Sequence, residues 1–343
     1  MNMQLRSWFK SKMERICTRL EKGILSNKTL QCKVVFGPVH SRRLGPVLGI
    51  NNVKPGICSY NCIYCPGRKT ARCSICTNSC LSSYDLYVSV KNKLNEINEA
   101  DKKIEYILFA GSGDPCMDSG LSKHILLLRE FGYKIAVFTN SALLWSKTIQ
   151  ENLMFADYVS VKIDTMNESR WIKMNRPHPR LKYDHILQGI KQFADDFKGN
   201  IATETTLIKG FNDNPAEILE LSKYMNTFRR DFTYFMTPIY PPSENYAVSP
   251  DAATLTMLSK IIKSNISNAV LLCCPEKEEF YITHDFENEL LGLLALHPVS
   301  ENVVRRFAEA NNKKDKFQEM ITNKVIKRID YGGKKYLSMD MNN

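Results

Sequence analysis

Three cysteines stand close together in one short loop of this 343-residue chain. Cys58, Cys62 and Cys65 lie in the segment GICSYNCIYCPG, separated by three residues and then by two. Thiolates are the usual protein ligands of iron–sulfur clusters, and ligands on one loop can wrap one face of a cuboidal cluster. The spacing therefore predicts a [4Fe–4S] cluster that is held at three irons and leaves the fourth iron open.

Two other interpretations of the triplet are a zinc knuckle and a set of scattered core cysteines. Zinc usually takes four ligands from paired Cys-x2-Cys or Cys/His sets, which this spacing does not match. Gly56 before the triplet and Pro66-Gly67 after it favour a loop. An open iron can chelate S-adenosylmethionine (SAM) and reduce its sulfonium to release a 5′-deoxyadenosyl radical. Tyr64, directly before the third cysteine, is predicted to pack on an adenine.

The sequence around the triplet resembles the radical SAM superfamily, and within it the wyosine-type Fe–S oxidoreductases, which are akin to the enzymes that build the tricyclic base of tRNA. The similar segments, in order, are FGPVHSRRLGPVLGINNVKPGICSYNCIYC, LFAGSGDPCMDS, FTNSALLW, KMNRPHPRL, LIKGFNDN and TPIYPPSE. The resemblance extends over about residues 34 to 275. It implies a partial (β/α)6 barrel that binds a [4Fe–4S] cluster and SAM.

The chain departs from the wyosine pattern upstream of the triplet. Wyosine-forming enzymes carry extra cluster cysteines there, whereas this chain has only Cys17 and Cys32. The Schiff-base lysine of those enzymes is therefore not assigned to Lys162 or Lys209.

Candidate cofactor contacts follow the predicted strands. The resemblance implies that the motif GSGDP, from Gly111 to Pro115, binds the SAM amino group, with Asp114 where the family more often has Glu. A tight β–α turn is the alternative interpretation of these glycines. Asn140 and Ser141 end the next strand, where polar groups could meet the methionyl or ribose part. The predicted cofactor-binding residues are Tyr64, Gly111, Ser112, Gly113, Asp114, Asn140, Ser141, Lys162, Asp164, Ile208, Gly210 and Asn212.

Two of these positions are predicted to point into the barrel together. Lys162 and Asp164 share one face of a strand because side chains alternate with a period of two. A buried lysine is costly unless it is paired, so either a structural ion pair or a cofactor contact is expected. Gly210 and Asn212 resemble the family segment that borders the adenine, with Ile208 as apolar support.

A second group of cysteines, Cys73, Cys76 and Cys80, begins eight positions after Cys65. Three thiols this close together indicate metal binding. An auxiliary [4Fe–4S] cluster is the first interpretation, and a zinc site or a redox-sensitive loop are the alternatives. Cys116 is the nearest candidate for a fourth ligand, and Cys273-Cys274 is another.

Short apolar runs alternate with amphipathic stretches along most of the chain, which predicts β–α units and a parallel sheet. The expected domains are an amphipathic helix over residues 1–33, a radical SAM barrel over 34–284 and a separate domain over 285–343. The first helix carries one apolar stripe and basic residues elsewhere, so it is expected to pack on the barrel or, as an alternative, to lie on a membrane surface.

The predicted domain at 285–343 contains three short helical patterns and two alternating strands about Gly332-Gly333. This arrangement resembles a winged helix, and the glycine pair suits a tight hairpin turn. The predicted wing is basic, which favours contact with nucleic-acid phosphates. Its cations are Lys327, Arg328, Lys334 and Lys335. A docking or purely structural appendage is the alternative.

Bulk composition agrees with an intracellular enzyme. The formal net charge of +11 favours a polyanionic partner, and Arg42-Arg43 near the cluster loop adds to this. No apolar stretch reaches the roughly 18 residues that span a bilayer, and no signal peptide is recognised, so a cytoplasmic location is expected. Eleven cysteines there indicate metal rather than disulfides.

Three functions follow from these observations. A radical SAM enzyme that modifies RNA, such as tRNA, is the first, with an electron donor such as ferredoxin or flavodoxin. A radical SAM enzyme that acts on a peptide, a protein or a small metabolite is the second. A non-catalytic iron–sulfur sensor that binds DNA is the third, and it leaves the SAM-site motifs unexplained.

Overall fold

The computed structural model describes residues 34–67, 69–79, 81–273 and 285–340. All of them belong to one compact unit, Cys32–Asn343. The predicted helix over residues 1–33, with Cys17 and Cys32, lies outside the described residues, as do Cys80 and Cys274.

The main sheet has eight strands, in the order β1-β2-β5-β6-β7-β8-β9-β10, while β3 (Ile57–Cys58) and β4 (Arg72–Cys73) form a separate two-stranded sheet. β1 and β2 are antiparallel, and every later strand joins its neighbour in parallel. The strands are β1 (Val35–Ser41), β2 (Gly45–Ile50), β5 (Tyr106–Phe109), β6 (Lys134–Thr139), β7 (Tyr158–Lys162), β8 (Asn200–Thr206), β9 (Phe232–Met236) and β10 (Ala269–Leu272). The predicted α/β fold with a mostly parallel sheet is confirmed.

Helices lie between most successive parallel strands. They are α1 (Ser83–Glu99), α2 (Leu121–Leu128), α3 (Lys147–Leu153), α4 (Glu168–Asn175), α5 (Tyr183–Asp196), α6 (Pro215–Met225) and α7 (Ala252–Asn265), with short 3-10 turns at Pro115–Met117 and Arg129–Phe131. None of the helices among the described residues is both long enough and apolar enough to cross a membrane.

Alternation along β7 separates the two faces of the sheet. Val159 and Val161 pack into the large core shared with the helices, whereas Tyr158 packs in a second cluster on the opposite face. Ser160 and Lys162 follow Tyr158 on that face because the side-chain period is two. Since parallel strands end at one edge, polar residues after β5, β6, β7 and β8 gather there.

Two arginines in the turn between β1 and β2, Arg42 and Arg43, contact residues of other strands. Arg42 donates to the Leu272 carbonyl at the end of β10, at 2.8 Å. Arg43 forms a 2.6 Å ion pair with Glu204 of β8 and lies over the ring of Phe138, 4.2 Å from its centroid. Both arginines are thus engaged within the protein, so they do not support the RNA interpretation that the sequence suggested for them.

Residues 285–340 form three helices and a small antiparallel sheet in the order β11-β13-β12. The elements are α8 (Phe286–Leu294), β11 (Val299–Ser300), α9 (Glu301–Ala310), α10 (Lys314–Thr322), β12 (Ile326–Tyr331) and β13 (Lys334–Met339). Gly332 and Gly333 both adopt positive φ, 57° and 73°, as the predicted hairpin turn requires.

Two contacts join this part to the sheet and to α1. Phe36 of β1 is buried in the core formed by α8, α9 and α10. Its ring also covers Gly49 of β2, where an added Cβ would lie 1.9 Å from the ring. In addition, Lys93 of α1 forms a buried ion pair with Glu289 of α8.

Candidate cluster and cofactor site

The loop that carries Cys58, Cys62 and Cys65 begins in a two-residue strand, β3 (Ile57–Cys58), which pairs in parallel with β4 (Arg72–Cys73). Backbone hydrogen bonds tie the loop to the end of α4. The amides of Asn61 and Ile63 donate to the carbonyls of Asn175 and Met174, each at 2.9 Å. The Ile63 carbonyl in turn accepts from the Glu244 amide at 2.9 Å. The predicted ligands therefore stand on a clamped loop.

The three thiols are neighbours, because Cys65 acts to raise the pKa of both Cys58 and Cys62, and Cys58 acts to raise the pKa of Cys62. Burial is the larger cause: it raises the pKa of Cys58 to about 12 and also raises the pKa of Cys62 and Cys65. No three Cys, His, Asp or Glu side chains in the described ranges converge on one ion. In a cubane each thiolate binds a different iron, so three neighbouring thiols on one loop suit its three ligated corners.

Each of the three thiols faces a donor or a cation. The Nδ2 amide of Asn140 donates to Sγ of Cys58 at 3.3 Å, and that of Asn175 donates to Sγ of Cys62 at 3.4 Å. The Gly67 amide and the charge of Lys162 both act to lower the pKa of Cys65. Sequence reasoning missed Asn175, although it lies in the quoted segment KMNRPHPRL.

The GSGDP motif follows β5, and its glycines allow close approach of other backbone. A Cβ on Gly113 would lie 2.2 Å from the Ile57 carbonyl, and one on Gly111 would lie 2.2 Å from Oδ1 of Asn51. Ser112 exchanges hydrogen bonds with the same Asn51, its amide donating to Oδ1 at 3.2 Å. The motif thus packs directly behind the loop that carries the cysteines.

Asp114 is buried, and its carboxylate has partners within the protein. It accepts from the hydroxyl of Thr139 at 2.9 Å and from the amide of Cys116 at 3.0 Å. Burial raises the pKa of Asp114 to about 6, and these hydrogen bonds offset part of that rise.

Lys162, Asp164 and Tyr64 meet at the ends of β7 and β8. Asp164 accepts from the hydroxyl of Tyr64, from Nδ2 of Asn175 at 2.8 Å and from the amide of Thr206 at 2.8 Å. Lys162 donates to the hydroxyl of Thr206 at 2.7 Å and lies 5.2 Å above the ring of Tyr64. The Tyr64 ring is buried against Ile63, Met174, Ile208 and Ala247.

The remaining predicted residues line the same edge of the sheet. The hydroxyl of Ser141 accepts from the Lys162 amide at 2.7 Å, and Ser141 has a positive φ of 68°. Nδ2 of Asn212 donates to the Asp164 carbonyl at 2.7 Å, and its Oδ1 accepts from the buried Ile208. Gly210 has a φ of 76° and donates to Asp213. Six of the predicted residues are therefore joined by hydrogen bonds to one another: Tyr64, Ser141, Lys162, Asp164, Ile208 and Asn212.

Two cysteines of the second group, Cys73 and Cys76, lie among the described residues. Cys73 pairs with Cys58 across β3 and β4, and its thiol donates to the Ser59 carbonyl at 3.3 Å. Cys76 is exposed. Cys116 is buried, and its thiol donates to the hydroxyl of Thr139 at 3.4 Å. Among the described residues, Cys116 does not form a group of three potential metal ligands with its neighbours. Cys273 is half-buried directly after β10.

Comparison with known proteins gives a family and a fold. A profile of the Radical SAM superfamily matches residues 53–222. A UPF0026 protein of Methanocaldococcus jannaschii is 33% identical over 304 residues, which is 88% of this chain and 94% of that protein.

Two solved structures are similar in fold. A radical SAM methyltransferase from Sphaerobacter thermophilus has a TM-score of 0.52 at 14% identity, covering 67% of each chain. Streptococcus suis SuiB bound to its precursor peptide SuiA also has a TM-score of 0.52 at 14% identity, covering 82% of this chain and 66% of that one. At this identity the likeness concerns the fold alone.

The superfamily implies a [4Fe–4S] cluster and SAM as cofactors. Three neighbouring thiols on one clamped loop, each facing a donor or a cation, fit such a cluster. The chain therefore belongs to the UPF0026 family and is a radical SAM superfamily enzyme.

Proposed function

We propose that Cys58, Cys62 and Cys65 hold the [4Fe–4S] cluster and that the enzyme cleaves SAM reductively to modify RNA. The observation that carries the first part is the placement of the three thiols beside Asn140, Asn175 and Lys162. When bound, the cluster and SAM supply a 5′-deoxyadenosyl radical. The assignment to the wyosine-type subfamily remains a prediction.

The side chains after β5 to β8 are proposed to hold SAM. Tyr64, Ile208 and their buried neighbours supply an apolar wall that excludes water. Lys162 and Asp164 supply opposite charges at the same edge. Their hydrogen bonds to Thr206 and Asn175 fix both side chains before any ligand arrives, which reduces the entropy lost on binding.

The cluster assignment is tested by replacing one ligand. Cys62→Ala, reconstituted anaerobically and reduced with dithionite, should form no 5′-deoxyadenosine, because a thiolate of the triplet is missing. Cys17→Ala is the matched control: Cys17 belongs to neither group of candidate metal ligands, so this variant should form the product at the wild-type rate. Equal product from Cys62→Ala and wild type would exclude the assignment.

The RNA target is supported by a basic groove in the 285–340 part, whose helices and hairpin we assign as a winged helix. The groove has a volume of about 320 Å³. Its lining residues are Glu301, Asn302, Arg305, Arg328, Gly333, Lys334 and Lys335. Arg305 and Arg328 are both paired with Glu301, and Lys327 lies 3.8 Å from Asp340. Lys334 and Lys335 are exposed, so they are the wing cations best placed for phosphates.

The RNA proposal predicts a specific salt dependence. Replacing Lys334 and Lys335 together with Ala removes up to two phosphate contacts. The logarithmic salt slope of binding to bulk tRNA should then flatten by up to about 1.4 for single-stranded or about 1.8 for duplex contacts. Lys260 and Lys263 on α7 are also exposed, and replacing them with Ala is the control that should leave the slope unchanged. An unchanged slope in the wing variant would contradict the RNA proposal.

A peptide substrate is the second candidate. SuiB, which shares the fold over 82% of this chain, is described in complex with its precursor peptide. Here the sheet order β11-β13-β12 leaves β12 at an edge, and an exposed edge can accept an extended peptide as an added strand. Deuterium from labelled peptide, rather than labelled tRNA, appearing in 5′-deoxyadenosine would favour this candidate.

A further inference from the structure

Two asparagine amides point at two different cluster ligands. Asn140 follows β6 directly and donates through Nδ2 to Sγ of Cys58 at 3.3 Å. Asn175 is the last residue of α4 and donates through Nδ2 to Sγ of Cys62 at 3.4 Å. The two donors come from opposite sides of the loop, one from the sheet and one from a helix end.

Both amides are held in place by other hydrogen bonds. Oδ1 of Asn140 accepts from the Ala142 amide at 2.9 Å, which directs its Nδ2 towards Cys58 and the hydroxyl of Ser59. Asn175 is 2% exposed, and its Nδ2 also donates to Oδ2 of Asp164 and to the hydroxyl of Tyr64. Neither amide can turn away from the sulfur without losing these bonds.

A hydrogen bond to a cluster thiolate changes the energy of electron transfer. Reduction adds a negative charge that the thiolates share, and an N–H donor stabilises that charge more in the reduced form than in the oxidised form. Hydrogen bonds to the sulfurs are accordingly among the protein features that set the potential of iron–sulfur clusters. Removing such a donor lowers the reduction potential.

We propose that Asn140 and Asn175 are positioning residues that raise the reduction potential of the cluster through N–H···S hydrogen bonds to Cys58 and Cys62. This inference rests on the proposed cluster ligands. Nδ2 of Asn175 also contacts Asp164 at 2.8 Å and the Tyr64 hydroxyl at 3.0 Å, so its two hydrogens are shared among three acceptors. Nδ2 of Asn140 has two acceptors, so its bond to sulfur is shared less and its loss shifts the potential more.

The test is an electron paramagnetic resonance (EPR) redox titration of the reconstituted full chain without SAM. Asn140→Leu and Asn175→Leu keep a similar volume and remove the donor. Both should take up the same iron as wild type and be reduced at a lower potential, with the larger shift in Asn140→Leu. Asn52→Leu is the matched control, because Asn52 is fully buried but donates to Pro115 and Asp118 and to no thiol.

The outcomes separate this inference from the function on which it rests. Wild-type protein that assembles no [4Fe–4S] cluster would overturn the proposed function. An intact cluster with unchanged potential in both Asn variants, or an equal shift in Asn52→Leu, would overturn the role of the amides.

A measurement on the wild-type protein covers the case in which a variant does not fold. Pulsed EPR of the reduced cluster should show weak coupling to a side-chain nitrogen. The coupling should change from 14N to 15N when only asparagine is labelled. No asparagine coupling in a fully assembled cluster would contradict the proposal.

Discussion

Nζ of Lys162 lies 3.7 Å from Oδ1 of Asp164 at the end of β7. Both side chains leave the same face of the strand, as alternation predicts, and they meet beside the loop that carries the cysteines. Asp164 has three further donors and Lys162 has the hydroxyl of Thr206, so the pair is satisfied by the protein itself. The pair therefore organises the edge of the sheet before a cofactor binds.

Asp164→Asn should destabilise the fold. An amide oxygen accepts more weakly than a carboxylate, and the new NH2 group faces the donors of Tyr64 and Asn175. We expect a loss of about 1.5–3 kcal/mol in the free energy of unfolding, the range for hydrogen bonds to charged groups. Anaerobic urea unfolding of the protein without cluster measures it. Asp195→Asn, at an exposed position of α5, should stay within about 0.5 kcal/mol of wild type.

The ion pair between Lys93 and Glu289 gives a second prediction. Both side chains are almost fully buried where α1 meets α8. Lys93→Met leaves the Glu289 carboxylate without its ammonium partner and should cost about 3–5 kcal/mol. The double variant Lys93→Met with Glu289→Met should recover most of that loss, because two apolar side chains need no partner. Thermal unfolding of the three proteins checks this, and a double variant as unstable as Lys93→Met would contradict it.

Glu301 makes the stability of the 285–340 part depend on pH. The hydrogen bond from Arg328, with that from Arg305, holds the pKa of Glu301 below its usual 4.5. A carboxyl with a depressed folded pKa stabilises the fold above the unfolded pKa and loses this contribution as pH falls through the folded value. Glu301→Gln should thus be less stable than wild type at pH 7, and the difference should narrow below pH 4.5. Chemical denaturation at pH 7 and at a pH below 4.5 tests this. Glu309→Gln, at an exposed position, is the control and should show no such change with pH.

The second group of cysteines yields a prediction about iron content. If Cys73, Cys76 and Cys80 bind an auxiliary cubane, changing all three to Ala should lower iron from about eight to about four per chain. Elemental analysis of the reconstituted protein measures its iron and its zinc. Loss of zinc at constant iron would support a structural zinc site instead.

The cluster ligands could be predicted from the sequence because all three lie within eight residues, where spacing alone restricts geometry. The strands could be predicted because a parallel sheet buried on both faces gives short apolar runs. The segment of β2, GPVLGI, gives a weak strand signal, since it contains two glycines and a proline. β11 was missed because it has only two residues.

Charge and hydrogen bonding were harder to predict, since they depend on residues distant in sequence. From the sequence, Arg43 was expected to favour a polyanionic partner. In the fold it is paired with Glu204, which lies 161 positions later in the chain. The segment KMNRPHPRL did not indicate the contact between Asn175 and Cys62, because the two residues are 113 positions apart.

The burial of Phe36 has a consequence for the order of folding during synthesis. Phe36 belongs to β1, near the start of the described chain. The residues with which it shares a core lie between Phe286 and Leu337. The ribosome therefore exposes this aromatic ring long before its partners exist. We expect nascent chains that stop before residue 286 to present Phe36 to chaperones, and β1 to reach its final packing only after α8 has emerged.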